Sequence, residues 1–304
     1  MIQCSSLHNI SKDIFLFRRR YYSSMRHAFV FLLLVLIFGE SSLVSQSLAS
    51  QDTVQGNLAL RDSAEGNKYN FSQFGHETWS FIKQPTTWDG SDWLTLGAIG
   101  AGTFLLMQVD QPIRDAVTKD QRYYWSVPIE AGRMWAELPP PVLIFTGLAT
   151  FSWITGDKAT KKTAYEVAQA LLYAGAADKL LAIVVGRSRP YNNEGSKSFH
   201  LFSSVFPIPE HQSLPGGHNV IAFALSTVLS RNVKPLWLKG LAYVPAALTF
   251  ISRVYQDRHW TSDNFLGASL GYFVATWVVD QHEQKESRIQ ISSVFPLTIS
   301  IALN

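Results

Sequence analysis

Three short stretches of the chain carry side chains able to bind an anion and move protons. GRSRPYNN sets Arg187 and Arg189 beside Pro190, PGGH puts Gly216 and Gly217 ahead of His218, and SRVYQDRHWTSD holds Arg253, Arg258, His259 and Asp263. Guanidinium forks take phosphate oxygens bidentately. Paired glycines where a helix starts let backbone N–H groups approach an anion closely. His259 and Asp263 stand four residues apart, so a helix that begins early puts them on one face, with the carboxylate fixing the imidazole tautomer. A histidine so oriented is a nucleophile or a base, and a second histidine opposite is a natural acid. The set describes phosphoryl transfer without a metal. Taken singly, each residue has a structural reading: a histidine at a helix end, Arg189 as a partner for terminal carbonyls, Asp263 as an N-cap. Three clusters at the same end of a bundle are poorly explained as three independent caps.

Six apolar segments must position these residues: roughly Trp93 to Val109, Leu138 to Thr155, Thr163 to Val185, His218 to Leu229, Trp237 to Ile251, and Phe265 to Val279. The clusters fall at the end of the third, the start of the fourth and the link from fifth to sixth. Helices of alternating direction bring all three to one side. Several segments are short or rich in Ser, Thr, Gly and Ala, which suits close helix packing. Trp93, Trp153, Trp237 and Trp277 lie near segment ends, where an amphipathic ring prefers the headgroup level. A water-soluble bundle would use the same periodicity without aromatics at its ends.

Composition narrows the class. Of 304 residues, 47% are hydrophobic and 16% charged, which excludes disorder. Lys12, Arg18, Arg19, Arg20 and Arg26 face only Asp13 and Glu40 among residues 1–49, and the rest balances at 21 basic to 21 acidic. A neutral body with its excess charge at the N-terminus argues against nucleic-acid binding. The single cysteine, Cys4, excludes an intrachain disulfide framework and a cysteine-built metal site. No cofactor and no metal are expected. Arg26, the apolar run from Ala28 to Phe38 and the small residues of Ser47-Leu48-Ala49 read as a secretory signal over 1–49, or an uncleaved anchor. Residues 50–91 read as a linker ending in an interfacial helix that carries Phe71, Phe74, Phe81 and Ile82 and stops at Pro85. Residues 92–280 are the helical bundle, and 281–304 a tail whose alternating pattern around Pro296 suggests a small hairpin.

SRVYQDRHWTSD fits the third signature of the type 2 phosphatidic acid phosphatase superfamily: Ser-Arg, five residues, His, three residues, Asp. PGGH resembles the second, normally Pro-Ser-Gly-His, and GRSRP the end of the first, normally Lys, six residues, Arg-Pro. The resemblance covers about residues 93 to 280. It implies His259 as a nucleophile forming a phosphohistidine, Asp263 as its orienting partner and His218 as the acid that protonates the leaving alcohol. Arg189 and Arg253 would hold the phosphate, with the Gly217 amide alongside. Two positions depart: the first signature's lysine is Ala182, and the second signature's serine is Gly216. Arg187, Lys197 and Arg258, on site-side loops, are the candidates to supply the missing charge, while Lys179 sits one turn too far from the site and is expected to pair with Asp178 or Glu166 or to snorkel along the bundle.

These readings predict an all-α, six-helix membrane bundle that hydrolyses a lipid phosphate or diphosphate, without a metal, in a bacterial inner membrane with the site facing the periplasm. The alternatives are a soluble secreted acid phosphatase of the same superfamily and a catalytically weak lipid-phosphate binding protein. Partners are the lipid substrate and membrane lipids; the sequence names neither the lipid nor the oligomeric state. Lys158, Lys161 and Lys162, with Arg231, Lys234 and Lys239, mark cytoplasmic loops. A cleaved signal and six crossings would turn the site inward, so one segment must fail to cross, and Trp93 to Val109 is the one expected to.

Overall fold

Proline, glycine and capping side chains divide the chain into helices at short intervals. The computed structural model describes residues 68–202, 209–287, 290–292 and 298–300. The signal and linker expected before residue 68 lie outside the described residues. Helix α1, Phe71–Lys83, starts where the Asn70 side chain accepts from the Gln73 amide and stops just before Pro85.

The rest forms a second unit from Gln84. Helix α2, Gly90–Met107, opens with a reciprocal cap between Asp89 and Asp92. It bends by 52° into α3, Asp110–Thr118. Helix α4, Val127–Trp135, bends by 60° into α5, Pro139–Thr155, which ends at the left-handed Gly156. Asp157 caps α6, Lys158–Val185, which carries the chain to the site. It ends at Gly186, φ 61°, where a Cβ would meet the His200 carbonyl at 1.9 Å. Then come α7 (Gly217–Arg231), α8 (Leu236–Leu241), α9 (Val244–Tyr255) and α10 (Thr261–Ser287). Two short strands, Gln290–Ser292 and Thr298–Ser300, pair antiparallel after α10.

Helix α7 lies at the centre, against α6, α8, α9 and α10; α10 also packs on α6, α2 and α3. Small residues permit this. Ala170 and Ala174 of α6, Ala222 and Ala224 of α7, Ala246 of α9 and Ala275 of α10 are all fully buried. A Cβ on Gly271 would meet the Val220 carbonyl at 2.3 Å, so α10 and α7 touch backbone to backbone.

Each expected apolar segment is helical, but the six-helix scheme needs correction. The segment from Trp237 to Ile251 splits around Tyr243, because Pro245 cannot continue a hydrogen-bonded helix and fits only the first turn of α9. Helices α3 and α4 add two elements that no apolar run announced. Among the described residues one helix, α6, is long and apolar enough to cross a membrane, or up to three spans if each bent pair counts as one.

Candidate active site

The three chemical clusters meet at one end of the bundle. His259 follows α9 after a left-handed Asp257, φ 57°. Its imidazole is 2% exposed, with Nδ1 2.9 Å from the Ser213 carbonyl. A carbonyl only accepts, so Nδ1 carries the proton and Nε2 keeps its lone pair. The Arg189 guanidinium lies 3.4 Å from that Nε2, and the His218 ring stands 5.8 Å from the His259 ring, edge to face. Burial, reinforced by Arg189, pushes the His259 imidazole well below its usual range.

Helix α7 aims its N-terminus at the same place, and among the described residues the amides of Gly217 and His218 have no backbone acceptor. The Gly216 amide is different. It donates to the Asp263 carbonyl at 2.8 Å, so of the expected glycine pair only Gly217 offers its N–H. A Cβ at Gly216 would lie 2.9 Å from Asn264 Oδ1, which accounts for glycine at the signature's serine position. Arg189 is anchored to the carbonyls of Pro209, Arg258 and Gln212, Arg253 is buried against Ser252 and Gln256, and Arg258 lies over the Tyr191 ring at 5.3 Å.

Two expectations are corrected here. Asp263 makes no hydrogen bond to His259: helix α10 begins only at Thr261, so His259 lies before it and the four-residue spacing does not place them on one face. Asp263 Oδ2 instead accepts from Ser213 Oγ at 2.5 Å and from the Trp260 amide at 2.9 Å. It holds the residue whose carbonyl holds His259. Arg187 is the second. It is fully buried, with Nη1 on Asp263 and Ser262, Nη2 on Asp110 and the Ser196 carbonyl, and Nε on that same carbonyl. All five of its N–H donors face protein acceptors, and none is left for a phosphate.

Asp110, Ser213, Trp260 and Ser262 escaped sequence reasoning. Asp110 accepts from the Ser262 amide at 3.0 Å, capping α10 from a distant helix, and Trp260 donates its ring N–H to the Ser188 carbonyl. A single aspartate before Gln-Pro and a serine in a loop carry no signal of such partners. Ala182 is 1% exposed, so the place of the signature lysine is closed by packing. Lys179 pairs with the buried Asp178 at 3.3 Å, as its position on α6 suggested. Asp178 in turn faces Gly217, where a Cβ would meet its Oδ2 at 2.9 Å.

The lowered His259 sets an expected pH profile. Its neutral form is the one with a lone pair, so kcat/KM of a reaction using that nitrogen shows no acid limb as pH falls from neutrality to the ordinary histidine value of 6.5, and it rises there if His218, itself lowered by burial and by Arg253, has to be protonated to act as the acid. It declines only below that, as the imidazole finally protonates. An acid limb centred at 6.5 or above, in a pH–rate series, would remove His259 from the nucleophile's place.

Residues 163–287, which include every candidate residue named above, match the model of the PAP2 superfamily. A lipid A 1-phosphatase of Porphyromonas gingivalis is 37% identical over 73 residues, covering 22% of this chain and 16% of that protein. The chain therefore matches about a sixth of the length of that relative. Among solved structures, Aquifex aeolicus LpxE overlays with TM-score 0.39 at 21% identity, over 57% of this chain and 95% of that one. The first transmembrane PAP2 type phosphatidylglycerolphosphate phosphatase from Bacillus subtilis overlays with TM-score 0.42 at 22% identity, over 62% and 95%.

Proposed function

We propose, from the premise that residues 163–287 belong to the PAP2 superfamily, that the chain is a membrane phosphatase acting on a lipid phosphate or diphosphate. One observation carries the reading. A buried histidine with its proton committed to the Ser213 carbonyl turns a free lone pair toward a guanidinium, a second histidine and an open helix N-terminus. His259 Nε2 attacks phosphorus, forming an N–P bond as the P–O bond to the lipid breaks. His218 gives its proton to the departing oxygen. Water then displaces His259 with His218 taking up the water proton, and inorganic phosphate leaves. Arg189 and the Gly217 amide balance the charge on the equatorial oxygens. Asp263 acts through Ser213 as a positioning residue.

Membrane embedding is supported by exposed large apolar side chains on several helices, including Leu94, Leu105, Trp153, Ile154, Leu180 and Trp237. The basic residues at the start of α6 and around the end of α7 lie at the opposite end of these helices from the site, which favours a periplasm-facing site by the positive-inside rule. The bent pair α2–α3 fits the segment expected not to cross as a simple span. Purified protein assayed for phosphate release from phosphatidate, phosphatidylglycerophosphate, polyprenyl diphosphate and lipid A tests the reading. Turnover of at least one, inhibited by vanadate as a five-coordinate phosphorus mimic, is expected. Binding without turnover of any would favour the lipid-phosphate binding protein, for which the closed lysine position and the occupied Arg187 speak.

His218 gives a second expected result. Its replacement by alanine slows hydrolysis most for a lipid alcohol, by roughly 10²–10⁴-fold, and little for an activated aryl phosphate whose leaving group needs no proton. Equal losses on both substrates would make His218 a phosphate ligand.

A further inference from the structure

Helix α3, DQPIRDAVT, lies outside the residues matched to the PAP2 superfamily, yet two of its side chains reach the segment that carries His259. Asp110 and Arg114 stand four residues apart, so they share one face of α3. Asp110 holds the far side of that segment through the amide and hydroxyl of Ser262. Arg114 holds the near side. Its Nε donates to Asp257 Oδ1 at 2.7 Å and its Nη2 to Asp257 Oδ2 at 2.8 Å, a two-pronged pairing that fixes the carboxylate in orientation as well as distance. The same Nη2 donates to Asn193 Oδ1 at 2.8 Å, and the guanidinium carbon lies over the Trp260 ring, 5.7 Å from its centre.

These partners bracket the reacting groups. Asp257 stands two residues before His259 and Trp260 one after it, and Asp257 is left-handed, φ 57°, where the chain leaves α9. Asn193, φ 60°, closes the turn that follows Arg189, its amide donating to the Pro190 carbonyl. One guanidinium therefore ties the segment of His259 to the turn of the arginine that faces it. Between the same two segments, Arg189 Nη1 also reaches the Arg258 carbonyl, at 3.2 Å. The Arg114 and Asp257 side chains are 17% and 23% exposed, so solvent screens the pair and it adds little to folding. Its consequence is geometric, since displacing a reacting atom by about 1 Å costs on the order of a hundredfold in rate.

We propose that Arg114 is a positioning residue: by clamping Asp257 and Asn193 together it sets the distance and angle between His259 Nε2 and the Arg189 guanidinium. The inference rests on the proposed role of His259 as the attacking group and extends the working site to α3, ahead of all three signature stretches. Asp110 and Arg114 then grip the chain on both sides of His259, one through the start of α10 and the other through the end of α9.

The test compares full-length wild-type protein in detergent with Arg114→Met, Asp257→Asn and the double variant. Asparagine at 257 tolerates the left-handed backbone while offering one acceptor oxygen in place of two. Arg114→Met should lower kcat by roughly 10- to 100-fold, equally on a lipid phosphate and on an activated aryl phosphate, with KM within about threefold and the melting temperature within a few degrees. The equal loss separates it from His218, whose replacement spares the aryl phosphate. The double variant should lose no more than the worse single one, because both changes open the same clamp. Arg122→Met, which removes a guanidinium paired with the exposed Asp120, should keep kcat within about twofold. A further readout needs no turnover. In spectra of protein labelled with ¹⁵N in its histidine rings, the His259 signals, assigned by their absence from His259→Ala, should move in Arg114→Met as Nε2 and Arg189 change their separation. If the wild type turns over none of the lipids, the proposed function falls and these signals still decide the role of Arg114. A kcat within about twofold of wild type, losses that multiply in the double variant, failure of Arg114→Met to fold, or unmoved His259 signals would each overturn the proposal.

Discussion

Replacement of His259 by alanine is expected to lower lipid-phosphate turnover by about 10⁴-fold or more, because in the proposed scheme it removes the atom that bonds to phosphorus and not merely a ligand of the transition state. The side chain is nearly buried and its ring is held by the Ser213 carbonyl, so a modest loss of stability accompanies the loss of activity. Trapping distinguishes the two. Wild-type protein quenched during turnover of a ³²P-labelled substrate should carry acid-labile label on His259, and the folded variant none. Activity above a few per cent of wild type, in a variant that unfolds cooperatively, would rule out a phosphohistidine at this position. Asp263→Asn should give a smaller defect in kcat, since it reaches His259 indirectly, through the Ser213 hydroxyl and the Trp260 amide.

The second large effect concerns Arg187, and it is an effect on folding. Methionine there removes the one guanidinium that reaches both Asp110 and Asp263, each fully enclosed, at 2.7 and 2.6 Å. Two carboxylates left buried without a cation cost about 3–5 kcal/mol, a drop of roughly 10 °C or more in melting temperature for a domain of this size. Neutralising the partners in the triple variant Arg187→Met, Asp110→Asn, Asp263→Asn should restore much of the loss, whereas lysine at 187, with a single ammonium for two partners, should not. A protein carrying Arg187→Met that melts normally and shows only a raised KM would return Arg187 to the phosphate site.

The contrast between Arg187 and Arg189 shows how far the amino-acid sequence reaches. Both stand in GRSRP, two residues apart, with the same charge and the same nearness to the end of α6. Their separation into a buried strut and a site guanidinium depends on Asp110, 77 residues earlier, and Asp263, 76 residues later. No local periodicity encodes such a triangle, because it forms only when α3, α6 and α10 converge. Ser213 is similar: its loop position has no propensity to mark it, yet its carbonyl sets the His259 tautomer.

What the sequence determined by itself was which residue types gather at one end of the bundle and most of the helices that carry them there. Arginine, histidine and glycine at the ends of apolar runs are local features, and helix starts and stops answer to residues within one turn of them. The tertiary structure alone decided which polar groups became partners, where α10 begins relative to His259, that α2–α3 and α4–α5 bend, and that Ala182 lies sealed in the bundle. Those outcomes follow from the close approach of helix backbones through Gly216 and Gly271, and from burial that forces each charge to find a partner among residues remote in the chain.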